Sequence, residues 1–513
     1  MPSYISGMRV CTDIGIGAGR RAAGAMAAAA LLGGASFICG PAWSQDDALA
    51  LSRADGAAML EALDGAADHG LPGFAASDLR ARLTAGGAQD RAAASELEAR
   101  VLSYADAQRG GRVDPGAVST IWALAPEPYD ARAAFAAARD GGRVAAWLAD
   151  LPPADARYDA LVAAYAEYRD LAAGADWPVL PDGPALEEGD SGPAVAALRA
   201  RLAAEGFSCP AEAPGEADMF DASLRCAVEA YQDRRGLAAD GVVGPQTRQA
   251  LNIPAARRVR QIEAGLERWR WGPHEFPPTR VEVNTAAAEA VLYRDGAPAL
   301  SMRIVAGKPS TPTPTFSATV TGVVLNPPWN VPASIARGEL FPKERADPGY
   351  LARNHFVQTG GRLVQTPGDH NALGRVKLDM PNPHTVYLHD TSAKALFDTP
   401  RRYYSHGCMR MQRPREIAAA LLGTQGWSAA DVDAAIATGE TQTVPLDLPV
   451  PVYVMHNTAY VRASDGALIL QPDVYGWDGR LLAALGDSAG RHGAMEAAAE
   501  TECAGALTAG AAG

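Results

Sequence analysis

In the stretch YYSHGCMRMQ, Tyr403 to Gln412, a histidine stands two residues before a cysteine and an arginine two residues after it. A thiol attacks as its thiolate, so a nucleophilic Cys408 needs a base or a positive field close by. His389 can supply the base. It ends the period-two run TVYLH, shares a strand face with Tyr387, and is followed by eighteen residues that can loop back to Cys408. His406 is tied to the same tight turn as the cysteine. Gly407 permits close backbone approach, and the amides of Gly407 and Cys408 are candidates to receive an oxyanion. RPREIAAALL then predicts a helix with Pro414 in its first turn, whose dipole would favour a thiolate just before it.

Two other chemistries could use this cysteine. Zinc could take His389, His406, Cys408 and His384, but the spacing lacks the Cys-x-x-Cys or His-x-x-x-His bite of a strong zinc motif. A disulfide to Cys503 would leave the flanking histidines without a task and tie the site to a tail with no periodicity. No metal and no cofactor is expected.

The elements that must position these residues lie far along a chain of 513 residues, long enough for several domains. A net charge of -13 argues against general nucleic-acid binding, since such a surface repels phosphate. Arg9, Arg20 and Arg21 precede an apolar, Ala-rich run to Ile38 and then small residues Ala42 and Ser44, the pattern of a secretory signal over 1–44. Residues 45–180 read as an Ala-rich helical scaffold, with Tyr158, Leu161, Tyr165 and Tyr168 forming a packing stripe on one face. After a Pro- and Gly-rich linker, 186–253 reads as short helices, the first capped by Asp190 or Ser191. In an oxidising compartment Cys209 and Cys226, both in this segment, could pair.

A linker helix over 254–277 follows, with Val259, Ile262, Leu266 and Trp269 on its seam and Arg257, Arg258, Arg260, Arg268 and Arg270 on a solvated face. From 278 to 480 the period changes to two, with hairpin signals at Asp295-Gly296 and Asp465-Gly466, so this unit should be mostly β. The Pro- and aromatic-rich segment 326–375 interrupts it. Residues 485–513 lack apolar periodicity and are expected to be a disordered tail.

Two resemblances attach to these residues. From Leu186 to Asn252, the row Gly189-Asp190, Gly192, Val195, Leu198, Gly206, Gln232, Gly236-Leu237, Asp240-Gly241-Val242, Gly244 and Thr247 resembles a three-helix peptidoglycan-binding module. HDTSAKALFDTPRRYYSHGCMRM is similar to the signature of the L,D-transpeptidases, in their long periplasmic form that carries such a module. The fold implied is multidomain α+β: an α-helical scaffold, the peptidoglycan-binding module, and a mostly-β catalytic domain with 326–375 as an inserted capping subdomain. The likeness implies Cys408 as nucleophile, His389 as general base, Ser405, His406 and Gly407 as the turn before the nucleophile, and Arg410 as the residue steadying the site. Tyr387 (oxyanion) and Trp329 and Asn330 (substrate) are further candidates, each with packing as the alternative. His456 in VYVMHNTAYV departs from the aromatic expected there.

The resemblance implies a periplasmic enzyme that joins peptidoglycan peptide stems by 3-3 cross-links through a cysteine thioester. Stems serve as donor and acceptor, and cell-wall synthases would be partners; neither nucleic acid nor, after signal cleavage, a membrane span is expected. Susceptibility to carbapenems and a part in cell shape follow from the same likeness. The alternatives are an L,D-carboxypeptidase or hydrolase acting on the same stems, a non-catalytic peptidoglycan-binding scaffold, and a zinc peptidase.

Overall fold

The computed structural model describes residues 52–85, 88–210 and 216–486. The secretory signal and nearly all of the expected tail lie outside them; the described chain ends in a helix over 477–486. Among the described residues no helix is long and apolar enough to cross a membrane.

The architecture is α+β. Helices Arg53–Asp64, Ala88–Gly110, Ala131–Asp140 and Ala156–Ala173 dominate the N-terminal part. The tyrosine stripe faces inward as its spacing requires: Tyr158, Leu161, Tyr165 and Tyr168 are all buried. Helices Pro193–Ala204, Ala222–Arg234 and Pro245–Leu251 form the following module around Val195, Leu198, Leu224, Val228 and Tyr231. Cys209 and Cys226 are joined by a disulfide across 17 residues of sequence. The first module helix is not capped as expected: Gly192 is its N-cap, with Pro193 supplying the preset φ, and Asp190 instead accepts from the Glu187 amide at 2.9 Å.

The helix Ala255–Trp269 corrects a second expectation. Arg258, Arg268 and Arg270 are only 3%, 3% and 2% exposed, not solvated. The helix is central rather than peripheral, packed against Ala156–Ala173 on one side and the C-terminal strands on another. Its guanidinia are matched inside: Arg268 pairs with Asp478 at 2.5 Å and Arg270 with Glu267 at 3.1 Å, while Arg258 donates to Tyr231 Oη and Ala250 O.

The remaining strands are β1 (Arg280–Asn284), β2 (Glu289–Arg294), β3 (Ala297–Gly307), β4 (Phe316–Leu325), β5 (Trp329–Asn330), β6 (Phe356–Thr359), β7 (Arg362–Gln365), β8 (Val376–Asp379), β9 (Leu388–His389), β10 (Tyr403–Ser405), β11 (Met409–Met411), β12 (Gln442–Met455), β13 (Ala459–Val461) and β14 (Leu468–Leu470). One sheet runs β10-β3-β11-β9-β8-β4-β12-β1-β2, and it closes on itself because β2 also pairs with β3. Asp295 and Gly296, both at positive φ, form the two-residue turn joining those strands. Inside the ring lie Val283, Ile304, Val323, Leu378, Leu388, Met409, Met411 and Val452; helix Pro414–Leu422 adds Ile417 and Leu421 to the same core. The insertion between β4 and β8 carries β5, β6, β7 and several short helices on its own small core of Val331, Leu340, Phe356 and Leu363.

Candidate active site

Strands β9 and β11 run parallel and side by side, with Met409 opposite Leu388 and Arg410 opposite His389. Strand alternation sorts their side chains. Leu388, Met409 and Met411 turn into the core, so His389 and Arg410, with Tyr387 and Cys408 two positions before them, share the other face. Lys377 of β8 lies in register with His389 and belongs to that face as well. The register therefore brings Cys408, His389, Arg410 and Tyr387 together from segments eighteen residues apart. Among the described residues Cys408 is the free cysteine, and it is half-buried.

His389 is 5% exposed. Its Nδ1–H donates to the Asp390 backbone oxygen, which leaves Nε2 as the basic nitrogen. Burial, reinforced by the positive charge of Arg410, pushes its pKa down to about 4 although the Asp390 carbonyl pulls the other way. Burial also pushes the Cys408 thiol up, opposed by the Tyr387 backbone amide and the charges of Lys377 and Arg410. On this strand face the two shifts have the same sense: burial favours the neutral thiol of Cys408 and the neutral imidazole of His389.

The turn before the cysteine is closed by Ser405, whose Oγ accepts from the Gly407 N–H at 3.1 Å and donates to Cys408 O. Gly407 has φ +112°, a conformation that side-chain-bearing residues rarely adopt. Because its amide is occupied by Ser405, Gly407 is not an open oxyanion donor as expected; of the two amides, only that of Cys408 lacks a partner among the described residues. A second correction concerns the helix dipole. β11 separates Cys408 from the helix Pro414–Leu422, and the dipole field decays within a turn of the helix end.

His406 is exposed and turned to the insertion, with Nε2 2.7 Å from Glu339 Oε1 and 3.4 Å from Lys308 Nζ. Trp329 packs inside the insertion, its ring centroid 6.1 Å from that of Phe356, whereas Asn330 is exposed. The Lys377 ammonium lies 3.9 Å from the Tyr387 ring centroid. His456 is fully buried, stacked on Tyr475 with centroids 4.8 Å apart and bonded through Nδ1 to Thr285 Oγ1 at 2.9 Å. It fills the aromatic's place in the packing. His384 lies tilted against Phe316, with ring centroids 5.2 Å apart, and among the described residues no cluster of three or more His, Cys, Asp or Glu side chains gathers as metal ligands.

Sequence reasoning missed Lys377, whose signal was a charge between the inward residues Val376 and Leu378 of a short strand. It also missed Thr313 and Glu339, which meet the cysteine's turn from distant segments and leave no trace in local spacing.

Residues 278–452 match the YkuD family, the L,D-transpeptidase catalytic domain. This chain carries an L,D-transpeptidase catalytic domain. Residues 191–251 match the "Putative peptidoglycan binding domain" family and 39–164 a scaffold-domain family. A Haemophilus influenzae protein named "Putative L,D-transpeptidase" is 31% identical over 217 residues, covering 38% of this chain and 44% of that protein. The chain therefore matches less than half of that relative's length. An N-acetylmuramoyl-L-alanine amidase, CwlL of Bacillus licheniformis, is 37% identical over 83 residues, 16% of this chain and 22% of the amidase. An L,D-transpeptidase structure from Xylanimonas cellulosilytica shares 17% identity, covering 53% of this chain and 98% of that one at a TM-score of 0.18. One from Mycobacterium smegmatis shares 15%, covering 36% and 61% at 0.19.

Proposed function

We propose that the L,D-transpeptidase domain forms 3-3 cross-links between peptidoglycan stems through a thioester on Cys408, in the periplasm. The observation that carries this reading is the register of β9 against β11, which sets a buried, tautomer-fixed imidazole on the same strand face as the half-buried thiol.

In the first half-reaction His389 Nε2 takes the thiol proton as sulfur attacks the carbonyl of the third residue of a donor tetrapeptide stem. The carbon–nitrogen bond to the terminal D-Ala then breaks, and His389 returns the proton to the leaving amine. In the second, the side-chain amine of another stem attacks the thioester and loses its proton to His389, the carbon–sulfur bond breaks, and His389 passes that proton to the departing sulfur, restoring the thiol. The thioester preserves the acyl energy where no ATP is present. Water competes with the amine, so the outcome depends on what shields the acyl-enzyme. The Glu339–His406 contact, from the insertion to the turn before Cys408, supports the insertion as that cover. The 191–251 module supports a substrate held in the wall.

The test is incubation of the enzyme with a purified tetrapeptide stem, followed by mass spectrometry of products. Cross-linked dimers are expected; tripeptide alone would replace the proposal with a carboxypeptidase, and no reaction would leave a binding role for the chain.

A further inference from the structure

Thr313, in the loop between β3 and β4, is fully buried and bridges two parts of the catalytic domain. Its Oγ1 accepts from the Gly307 N–H at 2.9 Å and donates to the Gly407 carbonyl at 2.8 Å. That carbonyl belongs to the peptide unit whose nitrogen is the Cys408 amide. The unit is planar and trans, so fixing the direction of C=O fixes the opposite direction of N–H. Among the described residues no acceptor meets that N–H.

We propose that Thr313 is a positioning residue: by bonding the Gly407 carbonyl it aims and polarises the Cys408 N–H as the donor to the oxyanion formed when Cys408 attacks a carbonyl. A bonded carbonyl makes the N–H of the same peptide a stronger donor, and an oxyanion donor acts only if it is preorganised. The inference rests on the acyl-transfer reading of Cys408.

The surroundings leave the Thr313 hydroxyl little freedom. Tyr475 Oη donates to Gly307 O at 2.8 Å and accepts from the Thr313 N–H at 3.4 Å. A Cβ on Gly307 would strike Thr311 O and Thr313 N, so the loop can fold back this closely only over glycine. Two residues on, Thr315 pairs with the helical N-terminal part: its amide donates to Ile121 O at 3.2 Å and its carbonyl accepts from Ala123 N–H at 2.9 Å. The loop is thus gripped from the N-terminal part on one side and the C-terminal segment on the other.

The experiment compares Thr313→Val, Thr313→Ser and Tyr475→Phe in the full chain. Each is read by tetrapeptide acylation of Cys408 and by iodoacetamide alkylation of the same sulfur, which forms no oxyanion. For Thr313→Val, kcat should fall at least about tenfold with KM changed less than about twofold, because the bond acts in the transition state. Alkylation should stay within about twofold, and Thr313→Ser should restore kcat. An equal loss in both reactions, an unchanged kcat, or an effect on KM alone would overturn the inference. Should Thr313→Val not fold, Tyr475→Phe is expected to give the same pattern at smaller size, and unchanged acylation there would overturn it. If the wild type takes no acyl group from tetrapeptide, the functional reading fails by itself. Acylation by p-nitrophenyl acetate, which passes through the same oxyanion, then still decides the role of Thr313.

Discussion

Cys408 should behave as a thiol whose ionisation burial disfavours until a substrate arrives. Burial raises its pKa from a reference of 9.0, and the opposing Tyr387 amide, Lys377 and Arg410 do not reverse the direction. His389, held near 4, is neutral at pH 7 and supplies no positive field to ionise the sulfur. With the thiol pushed up in this way the thiolate is a minor species at pH 7, and it grows about tenfold per pH unit until the pKa is reached. Iodoacetamide reacts with thiolate alone, so the rate at Cys408, followed by peptide mapping from pH 5 to 10, should climb through this range without a neutral plateau. Arg410→Ala removes a charge that favours the anion and should move the curve to higher pH. His389→Gln should leave alkylation at pH 7 nearly unchanged while acylation falls about 10²- to 10⁴-fold, since only acylation needs the base. A flat, fast alkylation rate from pH 5 to 8 would refute the reasoning, because it would mean a preformed thiolate–imidazolium pair.

His389 also links stability to pH. Its folded pKa of about 4 lies below the reference 6.5, so the unfolded chain binds the proton first and stability falls as pH drops through that window. Urea unfolding should show the wild type losing about 3 kcal/mol more than His389→Gln between pH 7 and pH 4; equal losses would count against a buried neutral imidazole. Glu205, fully buried, sits 2.9 Å from Arg201 and 2.6 Å from Arg235 and accepts from Tyr168 Oη at 3.1 Å. Glu205→Ala leaves those guanidinia without their carboxylate and should cost about 3–5 kcal/mol, visible as a large fall in thermal midpoint. Cys226→Ser opens a loop of 17 residues and should destabilise the module by about 3 kcal/mol from the loop term, measured by denaturation with and without reductant.

Much of this architecture could be read from the chain. The tyrosine stripe at three- and four-residue steps buried the face it marked, and Asp295-Gly296 made the hairpin its types demand. The return of the chain from His389 to the strand after Cys408 was also legible, since a strand end followed by a returning loop needs only one parallel pairing. What stayed hidden is non-local. Closure of the sheet depends on β3 pairing with β2, β10 and β11 along its length, which no local period encodes. Arg258, Arg268 and Arg270 looked like a solvated face because guanidinium usually is one, yet partners from other segments make burial tolerable here. The Gly407 amide looked open because the hydroxyl that occupies it lies only two residues back, and sequence does not show which way Ser405 turns.

The central claim is that Cys408 receives an acyl group from a peptide stem. Enzyme mixed with a diaminopimelate-containing tetrapeptide and quenched in acid should show, by mass spectrometry, the Cys408 peptide heavier by one tripeptide acyl group, with D-Ala released in equal amount and no adduct in Cys408→Ala. Cross-linking or trimming that proceeds with Cys408 unmodified, or that survives Cys408→Ala, would contradict it.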